Sequence, residues 1–179
     1  LDGSAIEYVK EIRKAGIREQ EKDKDYYIVR SKMEVADPET GSKLTLLPDD
    51  SFGINSFIEF DSKYIPNQSA SLDSVAEFET DIAPARTFVF VREIQQLRKA
   101  GLIKGGNLDN AIVIYERKLS QPELDEIADE LNIPRHNADE LGYLNHRKLE
   151  FPNEPARHKL LDIIGDMALI PDDDKQLVT

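Results

Sequence analysis

Arg157-His158-Lys159-Leu160-Leu161-Asp162-Ile163-Ile164-Gly165-Asp166 is the stretch on which the reading of the whole chain turns. At about 100° per residue, Leu160, Leu161 and Ile164, continued by Met167 and Ala168, gather into one apolar stripe of a helix. Such a stripe suits docking on a sheet. His158, Asp162 and Asp166 recur every fourth residue, so their side chains leave the same helix in one row. The helix is expected to start at Asn153 or Glu154, with Pro155 in its first turn, where a missing N–H is no loss. It should run to about Leu169.

A sheet for this helix is legible further upstream. Ala111-Ile112-Val113-Ile114, within Leu108 to Tyr115, is a continuous apolar, mostly β-branched run and reads as a buried strand. Tyr26 to Ala36 alternates, with Tyr27, Val29, Ser31, Met33 and Val35 on one side, and the turn Pro38-Glu39-Thr40-Gly41 leads to Lys43–Leu47 as an antiparallel partner. A third strand is expected over Ser56 to Asp61, a loop at Pro66-Asn67-Gln68-Ser69 and a helix over Ser74 to Ile82. Phe88 to Val91 is apolar, and Arg92 to Ala100 is amphipathic through Ile94 and Leu97. Gln121 to Leu131 places Leu124, Ile127, Ala128 and Leu131 on one helical stripe. At the start, Ser4 and Glu7 have capping-box spacing ahead of a helix ending at Ala15, with Gly16 as its cap. The expected class is α+β, with helices packed on a mostly antiparallel sheet.

Composition narrows the function. The 179 residues carry 23 Lys and Arg against 35 Asp and Glu, a formal charge of −12. A chain this acidic lacks the broad basic face that nucleic acid requires, so no nucleic-acid partner is expected. No apolar run approaches the roughly 20 residues of a membrane span, and no transmembrane segment is expected. With no Cys there is neither a disulfide nor a thiolate metal site, so a metal must be held by His and carboxylates. These features suit a cytoplasmic protein. The chain opens on Leu1 and enters a helix almost at once, as a fragment of a longer protein does. Residues 171–179, with Pro171-Asp172-Asp173-Asp174-Lys175, read as a polar tail or junction.

Three segments carry candidate chemistry. His158 and Asp162, one turn apart, can each give Zn²⁺ a ligand and leave room for a third and a water; an ordinary surface pair is the alternative. In Ala85-Arg86-Thr87-Phe88, Thr87 can aim a hydroxyl at a developing oxyanion, or it can simply cap a turn. Gly105-Gly106 stands in neither a dinucleotide nor a Walker spacing and reads as a tight turn before the buried strand. His136 and His146 read as solvated loop residues.

Taken in order, Leu1-Asp2-Gly3-Ser4-Ala5, Ala85-Arg86-Thr87-Phe88, Gly105-Gly106 with Leu108-Asp109-Asn110-Ala111-Ile112-Val113, and His158-Lys159-Leu160-Leu161-Asp162 with Gly165-Asp166 resemble the UDP-3-O-acyl-N-acetylglucosamine deacetylases. These are zinc enzymes of bacterial lipid A synthesis. The resemblance covers nearly all of residues 1–170 and implies the C-terminal of the family's two similar domains. The resemblance implies that each such domain packs two helices on a five-stranded sheet, with the active site between the domains. Residues 132–151 are similar to family members in which a hydroxyacyl carrier-protein dehydratase is fused downstream, so a fused dehydratase domain joins the expected partners.

The resemblance also implies roles. His158 and Asp162 become two of three protein zinc ligands. Thr87 becomes the hydroxyl that polarises the substrate amide, and Asp166 the carboxylate that pairs with a catalytic His further along the chain. Lys159 contacts the nucleotide part of the UDP-sugar substrate. An insert at about 88–119 forms an apolar passage for the acyl chain, with Phe88, Phe90, Val91, Ile94, Leu97, Ala111 and Val113 to line it. The third ligand and the general-base Glu belong to the family's N-terminal domain, and the second His follows the last helix, where this chain has Pro171-Asp172-Asp173-Asp174. The chain alone is therefore expected to be inactive, to bind zinc weakly and to expose an apolar face. The competing expectation is a non-catalytic acidic α+β interaction module, in which His158 and Asp162 are a plain surface pair.

Overall fold

The computed structural model describes residues 2–22, 28–100, 111–131, 134–144 and 148–169. The expected turn at Gly105-Gly106, His146, the first residues of the Tyr26 strand and the polar tail lie outside them. Four helices are described: α1 (Ile6–Ala15), α2 (Val91–Lys99), α3 (Gln121–Leu131) and α4 (Glu154–Ala168). The seven described strands are β1 (Met33–Ala36), β2 (Lys43–Leu46), β3 (Ile54–Ile58), β4 (Gln68–Leu72), β5 (Phe88–Phe90), β6 (Ile112–Tyr115) and β7 (Gly142–Tyr143).

The class is α+β, as expected, and the strands form three small sheets: β1–β2, β3–β4 and β5–β6–β7. All pairings are antiparallel except β5 with β6, which is parallel and sets Phe88 against Ile112. Helix α2 leads out of β5 and lies in the connection between these two strands, a parallel pair being one that a tight hairpin cannot join.

The core has three centres. Ala156 and Leu160 of α4, both fully buried, pack on Ala70 and Leu72 of β4 and on Ile82. A second cluster joins Val91 and Ile94 of α2 to Val113 and Tyr115 of β6 and Leu124 and Ile127 of α3. The third, on the other face of β5–β6, gathers Phe60, Ile65, Ile112 and Ile114 with Phe88 and Phe90. Strand β6 is therefore buried throughout, as its unbroken apolar run requires.

Several expectations need correction. Ser4 does not cap α1. Its hydroxyl and its N–H both donate to Asp2 Oδ1, at 2.6 and 3.1 Å, and Ala5 takes the N-cap position without a side-chain bond. The loop expected at Gln68-Ser69 is the start of β4, whose polar, small residues hide a strand that alternates buried and exposed. The helix expected over Ser74–Ile82 is a short 3₁₀ turn, Val75–Glu77, followed by one π turn, Phe78–Ile82, closed by the Ala83 N–H donating to Phe78 O at 2.8 Å. Among the described residues the alternating strand begins at Met33, and the side that Met33 and Val35 share is exposed. The α4 stripe is buried only in its first half: Leu160 is fully covered, whereas Met167 is 37% exposed. Tyr8 and Ile12 of α1 are also exposed.

Candidate active site

The segment Ala85–Phe88 lies along α4, touching it through Ala85 at His158, Arg86 at Glu154 and Phe88 at Lys159. His158 is buried, and its Nδ1 is 3.1 Å from the carbonyl oxygen of Ala85. That carbonyl can only accept, so Nδ1 is the donor and Nε2 is the ring nitrogen turned toward the helix row. Nε2 faces Asp162 Oδ1 at 3.5 Å, and Asp162 is 38% exposed, which opens the pair to solvent. A helical turn thus brings one imidazole nitrogen and one carboxylate to a common point. Both are hard or borderline ligands of the kind Zn²⁺ takes. Among the described residues no group of three His, Asp or Glu side chains surrounds such a point; the pair offers two donors of a kind a metal could take.

Lys159 brackets the same carboxylate. Its Nζ donates to Asp162 Oδ2 at 2.8 Å and lies 5.5 Å from the centroid of the Phe88 ring. Thr87 sits between Ala85, which holds His158, and Phe88, which touches Lys159. Its N–H donates to Asp2 O at 3.2 Å, and its carbonyl accepts from Ile112 N–H at 2.7 Å. Gly3 allows this approach. Its φ is +77°, and a Cβ there would stand 2.7 Å from Thr87 Cβ, a collision added to a backbone angle that other residues seldom adopt. Asp166 is exposed one turn beyond Asp162.

The residues expected to line an acyl passage divide between two faces of β5–β6. Phe88 and Phe90 pack edge to face, with centroids 5.9 Å apart, on the face that adjoins Lys159. Val91, Ile94 and Val113 lie in the cluster on the opposite face, packed under α3. Ala111 is half-buried at the head of β6, and the side chain of Leu97 is outside the described residues. His136 is in the loop after α3, where its Nε2 is 2.9 Å from Glu140 O; His146 is not described.

Two residues escaped the sequence reading. Arg86, quoted there with no role, and Glu154, read only as a helix start, form a fully buried ion pair beside the site. Glu154 precedes His158 by four residues, so extending the row His158–Asp162–Asp166 one turn backwards was the signal that could have found it.

The sequence, compared with known families, falls in a family of deacetylases. The model of the LpxC family, UDP-3-O-acyl N-acetylglycosamine deacetylase, matches residues 1–138 and 136–174, and the chain belongs to that family. It is 56% identical over 170 residues to the bifunctional enzyme LpxC/FabZ of Bacteroides thetaiotaomicron, covering 95% of this chain and 37% of that protein. The figures for the protein of the same name from Porphyromonas gingivalis are also 56%, 95% and 37%. The UDP-3-O-acyl-N-acetylglucosamine deacetylase of an Anaeromyxobacter species is 40% identical over 172 residues, covering 95% of this chain and 48% of that protein. The chain thus spans between about a third and a half of the length of these relatives.

Proposed function

We propose that this chain is the C-terminal part of a zinc-dependent deacetylase that hydrolyses the N-acetyl group of UDP-3-O-(hydroxyacyl)-N-acetylglucosamine in lipid A biosynthesis. One observation carries this reading: His158 Nε2 and Asp162 Oδ1 converge at 3.5 Å beside solvent, with the other imidazole nitrogen already held by Ala85 O. A plain surface pair on an interaction module needs no such second hold on a buried ring. Membership of the deacetylase family and the share of the relatives' length that is matched both support it.

His158 Nε2 and Asp162 Oδ1 would hold the zinc, with the third ligand from the N-terminal deacetylase domain. When bound, the metal supplies a Lewis acid that makes hydroxide available near neutral pH. Thr87 donates its hydroxyl proton toward the acetamide oxygen as negative charge builds there. Lys159 Nζ faces the anionic nucleotide portion of the substrate. The Asp166 carboxylate orients the imidazole that returns a proton to the leaving amine. The acyl chain runs along the Phe88–Phe90 face, each buried CH₂ adding about 0.8 kcal/mol of binding. We place the enzyme in the cytoplasm, with a dehydratase domain fused downstream, and the chain by itself without activity for want of a base and a third ligand.

The test is acetate release from the UDP-sugar by the full-length protein. Chelation should abolish it and added Zn²⁺ restore it. His158→Ala should lower kcat/KM by at least a hundredfold and Thr87→Ala by about a hundred- to a thousandfold, the range for losing one oxyanion donor. Activity indifferent to chelator and to His158→Ala would refute the assignment.

A further inference from the structure

Arg86 and Glu154 are the most completely buried charges described, with side chains 1% and 0% exposed. Their pairing is bidentate: Arg86 Nε donates to Glu154 Oε1 at 2.8 Å, and Nη2 to Oε2 at 3.1 Å. Glu154 Oε1 also accepts the Arg86 backbone N–H at 2.9 Å, and Oε2 accepts that of Glu150 at 2.7 Å. Arg86 Nη2 reaches on to Lys148 O at 3.1 Å. The pair holds the Arg86 guanidinium even more firmly protonated than usual. Three stretches of chain are knotted by two side chains.

The knot's position matters more than its strength. Glu154 is the first residue of α4, where the helix dipole favours a carboxylate, and it stands one turn before His158 in the row that continues to Asp162. Arg86 stands between Ala85, whose carbonyl holds His158, and Thr87. Sliding the segment along α4 would break a fork-to-fork pair and strand a buried charge, among the costlier changes open to a protein interior. The segment therefore has one register on the helix. We infer that Arg86 and Glu154 are positioning residues that fix the Ala85–Phe88 segment, and with it Thr87 and the carbonyl that holds His158, in one register on α4. This inference rests on the deacetylase reading for its kinetic readout but not for its structural one.

In the full-length protein, Glu154→Gln keeps the size but removes the charge, and its single amide oxygen can accept only one of the two backbone N–H groups, from Arg86 and Glu150, that the carboxylate holds. It should lower kcat at least tenfold while KM changes less than threefold. Arg86→Lys, which keeps the charge but cannot make the fork, should lie between it and the parent, and it carries the test should Glu154→Gln fail to fold. In metal-free protein, the ¹⁵N-labelled His158 ring should report an Nδ1–H tautomer in the parent and its loss or exchange broadening in the variants. A folded variant with parental kcat and an unchanged His158 signal overturns the inference, as does a kcat loss that only tracks loss of folded protein. If the parent shows no deacetylase activity, the functional reading fails, and the His158 signal alone decides this one: a shift supports it and constancy refutes it.

Discussion

β1–β2 and β3–β4 are both two-stranded antiparallel pairs of nearly equal length, yet they live in different environments. β4 alternates buried and exposed because α4 lies on it, with Leu72 1% exposed and Leu160 fully covered. β1 is exposed at every position, although Met33 and Val35 alternate with Glu34 and Ala36 as an inward-facing strand should. Alternation says that a strand has two unlike faces; it does not say that anything covers one of them. Besides its backbone ladder, the first pair has polar fastenings: Glu34 takes Lys32 and Lys43 at 2.8 and 3.0 Å, and Asp37 closes the turn by accepting from Thr40 and Glu39. The second is held by a core.

The largest consequence falls on the covered pair. Leu160→Ala removes a fully buried side chain from the contact between α4 and β4, and should cost about 2–5 kcal/mol in urea denaturation. Leu44→Ala, at a site 42% exposed, should cost well under half as much. Equal losses would mean that the two pairs are not different in kind. Next in size is Ser56→Ala. The Ser56 hydroxyl in β3 donates to Ala156 O at 2.7 Å in a buried setting, and losing one such bond should cost about 1 kcal/mol.

The same contrast governs what was legible in the sequence. Elements whose signal is local were read well. The β6 run Ile112–Tyr115 is buried at each position, α3 has the expected bounds of Gln121 and Leu131, and the His158–Asp162 spacing does bring the two side chains together. What was missed depends on partners distant in sequence. Gln68-Ser69-Ala70-Ser71-Leu72 has little strand propensity of its own and becomes a strand through its register with Ile54–Ile58 and its packing under α4. Glu154 gains its role only through Arg86, which is 68 residues away along the chain. Capping shows the same limit. Ser4 and Glu7 have the right spacing, but Asp2 claims the serine. Ser120 and Glu123, with identical spacing and no competitor in reach, do bond, at 2.9 Å to the Ser120 N–H and 2.6 Å to its hydroxyl. That bonding holds the Glu123 carboxyl below its ordinary range.

Acid should separate the two pairs by a smaller margin. Lys32 first and then Lys43 lower the pKa of Glu34, and the Thr40 hydroxyl together with the Glu39 N–H lowers that of Asp37. A depressed folded-state value means that the contribution is whole above the ordinary carboxylate range near pH 4, and is lost as pH falls through the lower folded value. Neither strand of β3–β4 contains an Asp or Glu. Amide resonances of Glu34 and Thr45 should therefore shift below about pH 4 while those of Ser56 and Ala70 hold. Simultaneous movement of both sets would show that the first pair is not independently fastened.

The smallest expected effect is the most discriminating. Val35 is 71% exposed, and Val35→Thr keeps the β-branch and the strand preference while placing a hydroxyl where a methyl was. In water that hydroxyl costs nothing, so stability should stay within about 0.5 kcal/mol of the parent. Under a cover it would be buried without a partner, at about 1–3 kcal/mol. The one substitution, followed by denaturation in this chain and again in the full-length protein, reports whether β1–β2 stands open in each. A null result in both would keep the two strand pairs distinct. A penalty in the longer protein alone would mean that β1–β2, like β3–β4, has a covered face, supplied from outside these residues.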